Sequence, residues 1–419
     1  MKKFKLLLLI IIASKTLIAQ PVGILEWAKQ AGGDSTDSGN SIALDGSGNV
    51  YTAGEFSRTV DFDPGPGTYN LSSAGSNDIF ILKLDAFGNF IWAKQVGGTS
   101  DEFLKSMAID DLGNAYITGK FYGTVDFDPG IAVFNLTPAN LSDGAMFISK
   151  LNTNGDFVWA KKIDWDYTWE SAATDISVDI FQNVYVTGAF ENVIDFDPGS
   201  GVFNLTATSQ ADVFILKLDA AGDFKWAKSF YGPADADYGH TIEVDNFGNV
   251  YTTGNFIYAD FDPGPGTYIL IGSNGDDIFI SKLDSSGNFV WAKQIGGAFY
   301  PTALSDLDAN GNIYVTGEFD GTVDFDPDSS GSYLLTSSGA QDIYVFKLDS
   351  AGNFIWAKQM GGTLHDEGWA IDVSSAGDVY TTGEFRNTVD FDPGIGVFNL
   401  SGLGIRLFLV RSKLNFIYL

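Results

Sequence analysis

The sequence predicts an all-β fold, a β-propeller of six four-stranded blades. Three observations predict it: a unit repeated six times, short strand-like segments within each unit, and a strand count in which one chain end completes the other. Trp-Ala-Lys begins at Trp27, Trp92, Trp159, Trp226, Trp291 and Trp356, at spacings of 65, 67, 67, 65 and 65. Asp-Phe-Asp-Pro keeps step, beginning at Asp61, Asp126, Asp195, Asp260, Asp324 and Asp390. A unit of about 66 residues therefore fills the chain from Gln20 onward, which makes residues 20–419 one propeller domain.

Within the first unit, strand a is read at 41–45, b at 50–56, c at 78–85 and d at 90–96. These segments are rich in Val, Ile, Phe, Tyr and Trp, and glycine and asparagine separate them. The a–b and c–d joints read Asp-x-x-Gly-Asn, as in Asp45 to Asn49 and Asp85 to Asn89. An Asp that caps the turn and a Gly free to take positive φ make these tight hairpins. The last unit offers a at 370–373, b at 379–385 and a poor c near 407–413, and then no Trp-Ala-Lys. The segment 24–30 carries a d pattern ahead of any a strand, so pairing it with the last blade closes two open edges.

The units Asp-x-x-Gly-Asn-x-Tyr-x-Thr-Gly-x-Phe, as in Asp45 to Phe56, resemble the bacterial secreted repeat family named for seven-bladed β-propellers. The resemblance covers nearly the whole mature chain and implies a secreted propeller, in a family that carries no agreed activity. Two departures stand out: six units rather than seven, and no C-terminal secretion-sorting domain. The tail 405–419 also diverges from the repeat.

Residues 1–19 read as a signal peptide: Lys2, Lys3 and Lys5 precede an apolar run from Leu6 to Ala13, and Ala19 offers the cleavage site. The run is too short to span a bilayer, so a secreted or cell-surface protein without membrane insertion is expected. Cysteine is absent, leaving packing alone to hold the fold. The net charge is −29, and removing the four lysines of the leader takes it to −33 (−29 − 4). Such acidity disfavours nucleic acid and suits divalent cations, basic partners and neutral glycans. A monomer is expected.

Candidate sites follow from topology. In a meander the a–b and c–d turns share one end of the blade, and the b–c insert and d–a crossing share the other. The uniform turns predict an inert face, and the variable crossings predict the working one. In the insert, Asp61 and Asp63 point one way with Phe62 turned back to the sheet, as do Asp126 and Asp128, Asp195 and Asp197, Asp260 and Asp262, Asp324 and Asp326, Asp390 and Asp392. Paired carboxylates beside a Gly-rich turn make Ca²⁺ the candidate cofactor, with ordinary turn chemistry as the alternative; Asp328 replaces the Gly of the fifth copy.

The crossings supply candidate ligand-binding residues: Trp165, Tyr167 and Trp169 in the third, Tyr238 and His240 in the fourth, Tyr300 in the fifth, His365 and Trp369 in the sixth. Aromatic rings beside carboxylates suit sugar stacking or cation capture, and equally suit packing over neighbouring blades. On the innermost strand, Ala43, Ala108, Ser177, Glu243, Asp306 and Asp372 form a series whose second half is acidic. An extracellular binding or adhesion module for protein or glycan is the favoured function. The alternatives are a glycan-active hydrolase or lyase and a structural surface component.

Overall fold

A computed structural model describes residues 27–165, 172–233, 236–273, 276–297, 302–328, 331–394 and 396–412. Among the described residues the main antiparallel strands fall into successive groups numbered here as blades, five with four strands in the order a-b-c-d and the last with three. Blade 1 comprises Asp37–Leu44, Val50–Phe56, Asp78–Leu84 and Phe90–Gly98. Blade 2 comprises Glu102–Ile109, Ala115–Phe121, Ala145–Leu151 and Phe157–Asp164. Blade 3 comprises Ala172–Val178, Val184–Phe190, Asp212–Leu218 and Phe224–Phe230. Blade 4 comprises Tyr238–Val244, Val250–Phe256, Asp277–Leu283 and Phe289–Ile295. Blade 5 comprises Leu304–Leu307, Ile313–Asp324, Leu334–Leu348 and Phe354–Gly362. Among the described residues, blade 6 comprises Glu367–Val373, Val379–Asp390 and Asn399–Ser412.

The turns form for the reason their sequence gives. Asp45 Oδ1 accepts from the amides of Ser47 (2.9 Å) and Asn49 (3.0 Å), its Oδ2 accepts from Asn49 Nδ2 (2.8 Å), and Gly48 sits at φ 78°. In blade 3 Gln182 holds the left-handed position at φ 65°, and its Oε1 receives Lys150 Nζ at 2.8 Å.

The tryptophans of blades 1 to 4 tie each of these blades to the next. Trp92 Nε1 donates to Thr153 O in the following c–d turn at 3.1 Å, and Trp159, Trp226 and Trp291 reach Ala220, Ser285 and Ser350 in the same way. Each indole also meets a tyrosine of its own blade edge-on, as Tyr51 and Trp92 do at 5.9 Å. Covering one such ring contributes about 3 kcal/mol.

The insert is not the free loop its length suggests. Thr59–Asp61 and Asn70–Ser72 form a small hairpin that pairs backward with Gly32–Gly33, as Val125–Asp126 pairs with Gly97–Gly98 of blade 1. The Gly-Gly that ends these d strands is thereby explained. A Cβ on Gly98 would stand 2.4 Å from Thr124 O. Phe62 turns inward, 4.9 Å from Phe80 and 5.3 Å from Phe56.

Of the N-terminal segment, Trp27 to Gln30 lie in no strand, and residues 24–26 fall outside the described residues, as does the leader 1–19. Yet Trp27 Nε1 donates to Ala86 O at 3.1 Å. Trp27 and Lys29 also crowd Gly88 as Trp92 and Lys94 crowd Gly155. This segment therefore meets blade 1 as a preceding blade's d strand would. Successive inner strands pack from blade 1 through to blade 6, with no comparable packing from blade 6 back to blade 1 among the described residues. No helix there is long and apolar enough to cross a membrane.

Candidate functional site

The crossings were expected to display their aromatic residues, and the described ones mostly do not. Trp165 is 7% exposed: it packs with Ile163, Phe190 and Ile194, and its Nε1 donates to Asp143 O at 3.3 Å. Its predicted role as an exposed anchor is corrected to a cover over the interface between blades 2 and 3. Tyr167, Trp169 and Tyr300 lie outside the described residues. Tyr238 opens strand a of blade 4, partly buried opposite Asn255.

His240 and Trp369 share one structural position, the bulge in strand a after a glycine. At that bulge the side chain bridges to the next blade. Asn40 Nδ2 donates to Leu104 O (3.1 Å), Thr174 Oγ1 to Gly239 O (2.7 Å), and Ala303 N to His240 Nδ1 (3.2 Å). Burial pushes the His240 imidazole down to about 4, so it stays a neutral acceptor at physiological pH. Trp369 bridges to no other blade among the described residues and is 46% exposed. Its Nε1 donates to Glu367 Oε2 at 3.0 Å, and the other Glu367 oxygen contacts His365 Nε2. Trp369, Glu367 and His365 are the predicted crossing residues that the fold brings together on open surface.

The repeated aspartates are engaged by their own loops. Asp61 Oδ1 accepts from Asp63 N (3.1 Å) and Tyr69 N (2.8 Å), and Asp63 Oδ1 from Gly65 N (2.8 Å). Asp126 and Asp128, Asp195 and Asp197, Asp260 and Asp262, and Asp390 and Asp392 repeat this scheme. In the fifth copy Asp324 and Asp326 hold the backbone likewise, and Asp328 receives Lys293 Nζ at 2.6 Å. No group of three or more acidic, His or Cys side chains among the described residues is arranged to hold a metal ion.

The inner acids do converge. Burial, then the charges of Asp306, Asp175 and Asp372, pushes the Glu243 carboxyl well up. Burial also pushes Asp306 up to about 7, against the amides of Val373 (2.6 Å) and Leu307 (2.7 Å) and with Asp372 adding repulsion. Asp175, which the sequence pattern missed, accepts from Ser106 Oγ (2.7 Å) and Ile242 N (2.8 Å) and so spans three blades. Asp175 and Asp306 thus accept from the next inner strand, and burial raises the carboxyls of Asp175, Glu243 and Asp306 alike.

The turn face departs most from expectation. The third position of the a–b turn carries Leu112, Phe181 and Phe247 in blades 2 to 4, the last 84% exposed, with Ile180 beside them. A cleft of about 290 Å³ opens between two of these turns, lined by Ile109, Leu112, Val178, Ile180, Asp110 and Asp179. The two aspartates are already committed to their turns: Asp110 Oδ2 accepts from Asn114 Nδ2 (2.7 Å) and Tyr116 OH (3.0 Å). What faces outward is apolar side chain within an acidic surround. A hydrophobe at the third turn position, where Ser47 or Asn310 suffices elsewhere, was the available signal.

The family described as "Beta-propeller repeat" matches residues 26–55 and 91–120. An uncharacterised WD repeat-containing protein of Acanthamoeba polyphaga mimivirus is 25% identical over 89% of this chain and 32% of its own length. The regulatory protein FlaEY of Caulobacter vibrioides is 28% identical over 23% of this chain and 10% of its own. The chain thus spans about a third or less of these relatives. Among solved structures, a protein of unknown function from Bacteroides caccae aligns at TM-score 0.26 and 11% identity, covering 69% of this chain and 92% of that one. A streptogramin B lyase aligns at 0.34 and 14%, covering 84% and 92%. Over those two segments the chain is similar to the β-propeller repeat family.

Proposed function

We propose that this repeat protein is an exported, non-catalytic binding propeller that engages a protein ligand along the a–b turn rim of blades 2 to 4. The observation that carries the reading is the row of exposed Leu112, Ile180, Phe181 and Phe247 on turns whose polar groups are already satisfied. Exposed apolar side chains of this kind on an otherwise acidic protein suit a partner that offers apolar side chains and positive charge. The test is binding of the purified mature chain to immobilised protein and glycan arrays, beside a Phe181→Ser, Phe247→Ser variant. Protein signals that fall at least about tenfold in the variant are expected. Glycan signals that survive it and vanish in Trp369→Ala would move the site to the crossing face, where Trp369, Glu367 and His365 stand together.

The same reading takes the six blades as a closed ring, with residues 24–30 as the fourth strand of blade 6. The contacts of Trp27 with Ala86 and Gly88 support it. So does the free outer edge of Asn399–Ser412, which pairs only with Val379–Asp390 among the described residues.

A further inference from the structure

At three interfaces the blades meet through two facing carboxyls. The amide of Glu102 in blade 2 donates to Asn77 O, next to Asp78 of blade 1, at 3.1 Å. Asp237 N donates to Ala211 O, beside Asp212, and Asp366 N to Gln341 O, beside Asp342, each at 2.9 Å. All six of these acids are buried. Their charges oppose one another: Asp78 raises the Glu102 carboxyl, which burial first drives up to about 8, and Asp342 raises that of Asp366. A retained proton lets such a pair pack.

The seam between blades 6 and 1 breaks the pattern. Opposite Phe385 in blade 6, in the register that sets Asp78 opposite Phe56, stands Arg406. Opposite Phe56 in strand a of blade 1, where blade 2 has Glu102, stands Asp37. Arg406 is exposed and makes no salt bridge among the described residues. Asp37 Oδ2 accepts from Gly33 N at 2.9 Å, while its Oδ1 is buried without a hydrogen-bond partner. The surfaces beside the two residues are apolar and exposed among the described residues. Ile42 is 70% exposed, as are Leu407 and Leu409 to similar degree, although their counterparts Ile242, Ile79 and Ile81 are buried. A cleft of about 340 Å³ next to Asp37 is lined by Trp27, Ile42, Val50, Phe80 and Leu82.

We propose that Arg406 and Asp37 form an ion pair that clasps blade 6 to blade 1, an inference that rests on the closed-ring reading. Burial raises the carboxyls of Asp78, Glu102, Asp212, Asp342 and Asp366 at the acid pairs, whereas at the seam the guanidinium supplies the opposite charge, and it marks the last blade as the partner of the first alone. An Asp or Ala at 406 would make blade 6 equivalent to an internal blade; the Arg distinguishes it.

The test uses the full mature chain, which has no native cysteine. Asp37→Arg and Arg406→Asp should each lower Tm by about 2–4 °C, and the charge-swapped double variant should recover at least half of the summed loss. If Asp37→Arg fails to fold, the Asp37→Asn, Arg406→Gln cycle reads the same coupling. In parallel, cysteines placed at Ser38 and Leu407 are bridged by a short bis-maleimide. An internal link together with coupled charge variants supports the clasp. An internal link with strictly additive variants overturns the clasp and leaves the ring. Without an internal link, ring and clasp both fall.

Discussion

The interface between blades 3 and 4 and the seam between blades 6 and 1 use the same positions to opposite effect. At the first, Thr174 reaches Gly239, Asp175 reaches Ile242, Lys217 and Trp226 share Ser285 O, and Ile242 is fully buried. At the second, Trp369 and Ile42 occupy the matching places and stand exposed among the described residues. The lesson is that a blade's stability is vested in its successor. Side chains in one blade satisfy backbone groups in the next, so the two blades at the seam show apolar surface among the described residues.

Removing residues 24–30 strikes the seam hardest, since it takes away both the d pattern of blade 6 and the Trp27 contact on blade 1. Melting should fall by about 10 °C or more, or the chain should aggregate. A variant that melts like the parent would show that the N-terminus closes nothing. Cavity mutants sharpen the contrast. Ile242→Ala should cost about 2–4 kcal/mol in denaturant unfolding. Ile42→Ala should cost a comparable amount if blade 6 covers it in solution, and under about 0.5 kcal/mol if the seam stays open.

The acid pairs predict a pH trend. Burial first, with neighbouring acids adding, pushes Glu102 up to about 8 and Asp306 and Glu318 up to about 7. Above the unfolded carboxyl range the folded chain then holds protons that the unfolded chain has released, so stability falls as pH rises from about 5 to about 8. Tm measured across that window should decline, and Glu102→Gln should flatten the decline. A Tm that climbs with pH would contradict the protonated pairs. The smallest effect is expected from calcium. With one oxygen of each insert aspartate already bound to backbone amides, millimolar Ca²⁺ against chelator should move Tm by less than about 2 °C; a larger rise would assign the inserts a metal after all.

Much of the fold was legible because the repeat writes each rule six times. Strand b was bounded at 50–56 in full, since Asn49 and Ser57 flank it with turn residues. Strand a was read short, from 41 rather than Asp37, because the bulge at Asn40 breaks the alternation that a period-two pattern relies on. The site was far less legible. Trp165 looks like an anchor in sequence, and only the packing of Ile163 and Phe190 around it reveals a core residue. The insert carboxylates look like ligands until the amides eight residues on are seen to claim them. Conversely Phe181 and Phe247 hid inside turns that seemed too regular to carry function.

The forward bond that Trp92, Trp159, Trp226 and Trp291 make to the next blade's turn has a consequence for assembly. Such a contact joins two unlike surfaces, head to tail, and so has no twofold partner of its own. Unlike surfaces repeated along a series have two endings: the last meets the first and the series becomes a ring, or each free end recruits another molecule and the series grows as a filament. A chain whose seam is weakened should therefore choose between these by concentration, staying single when dilute and lengthening end over end when crowded.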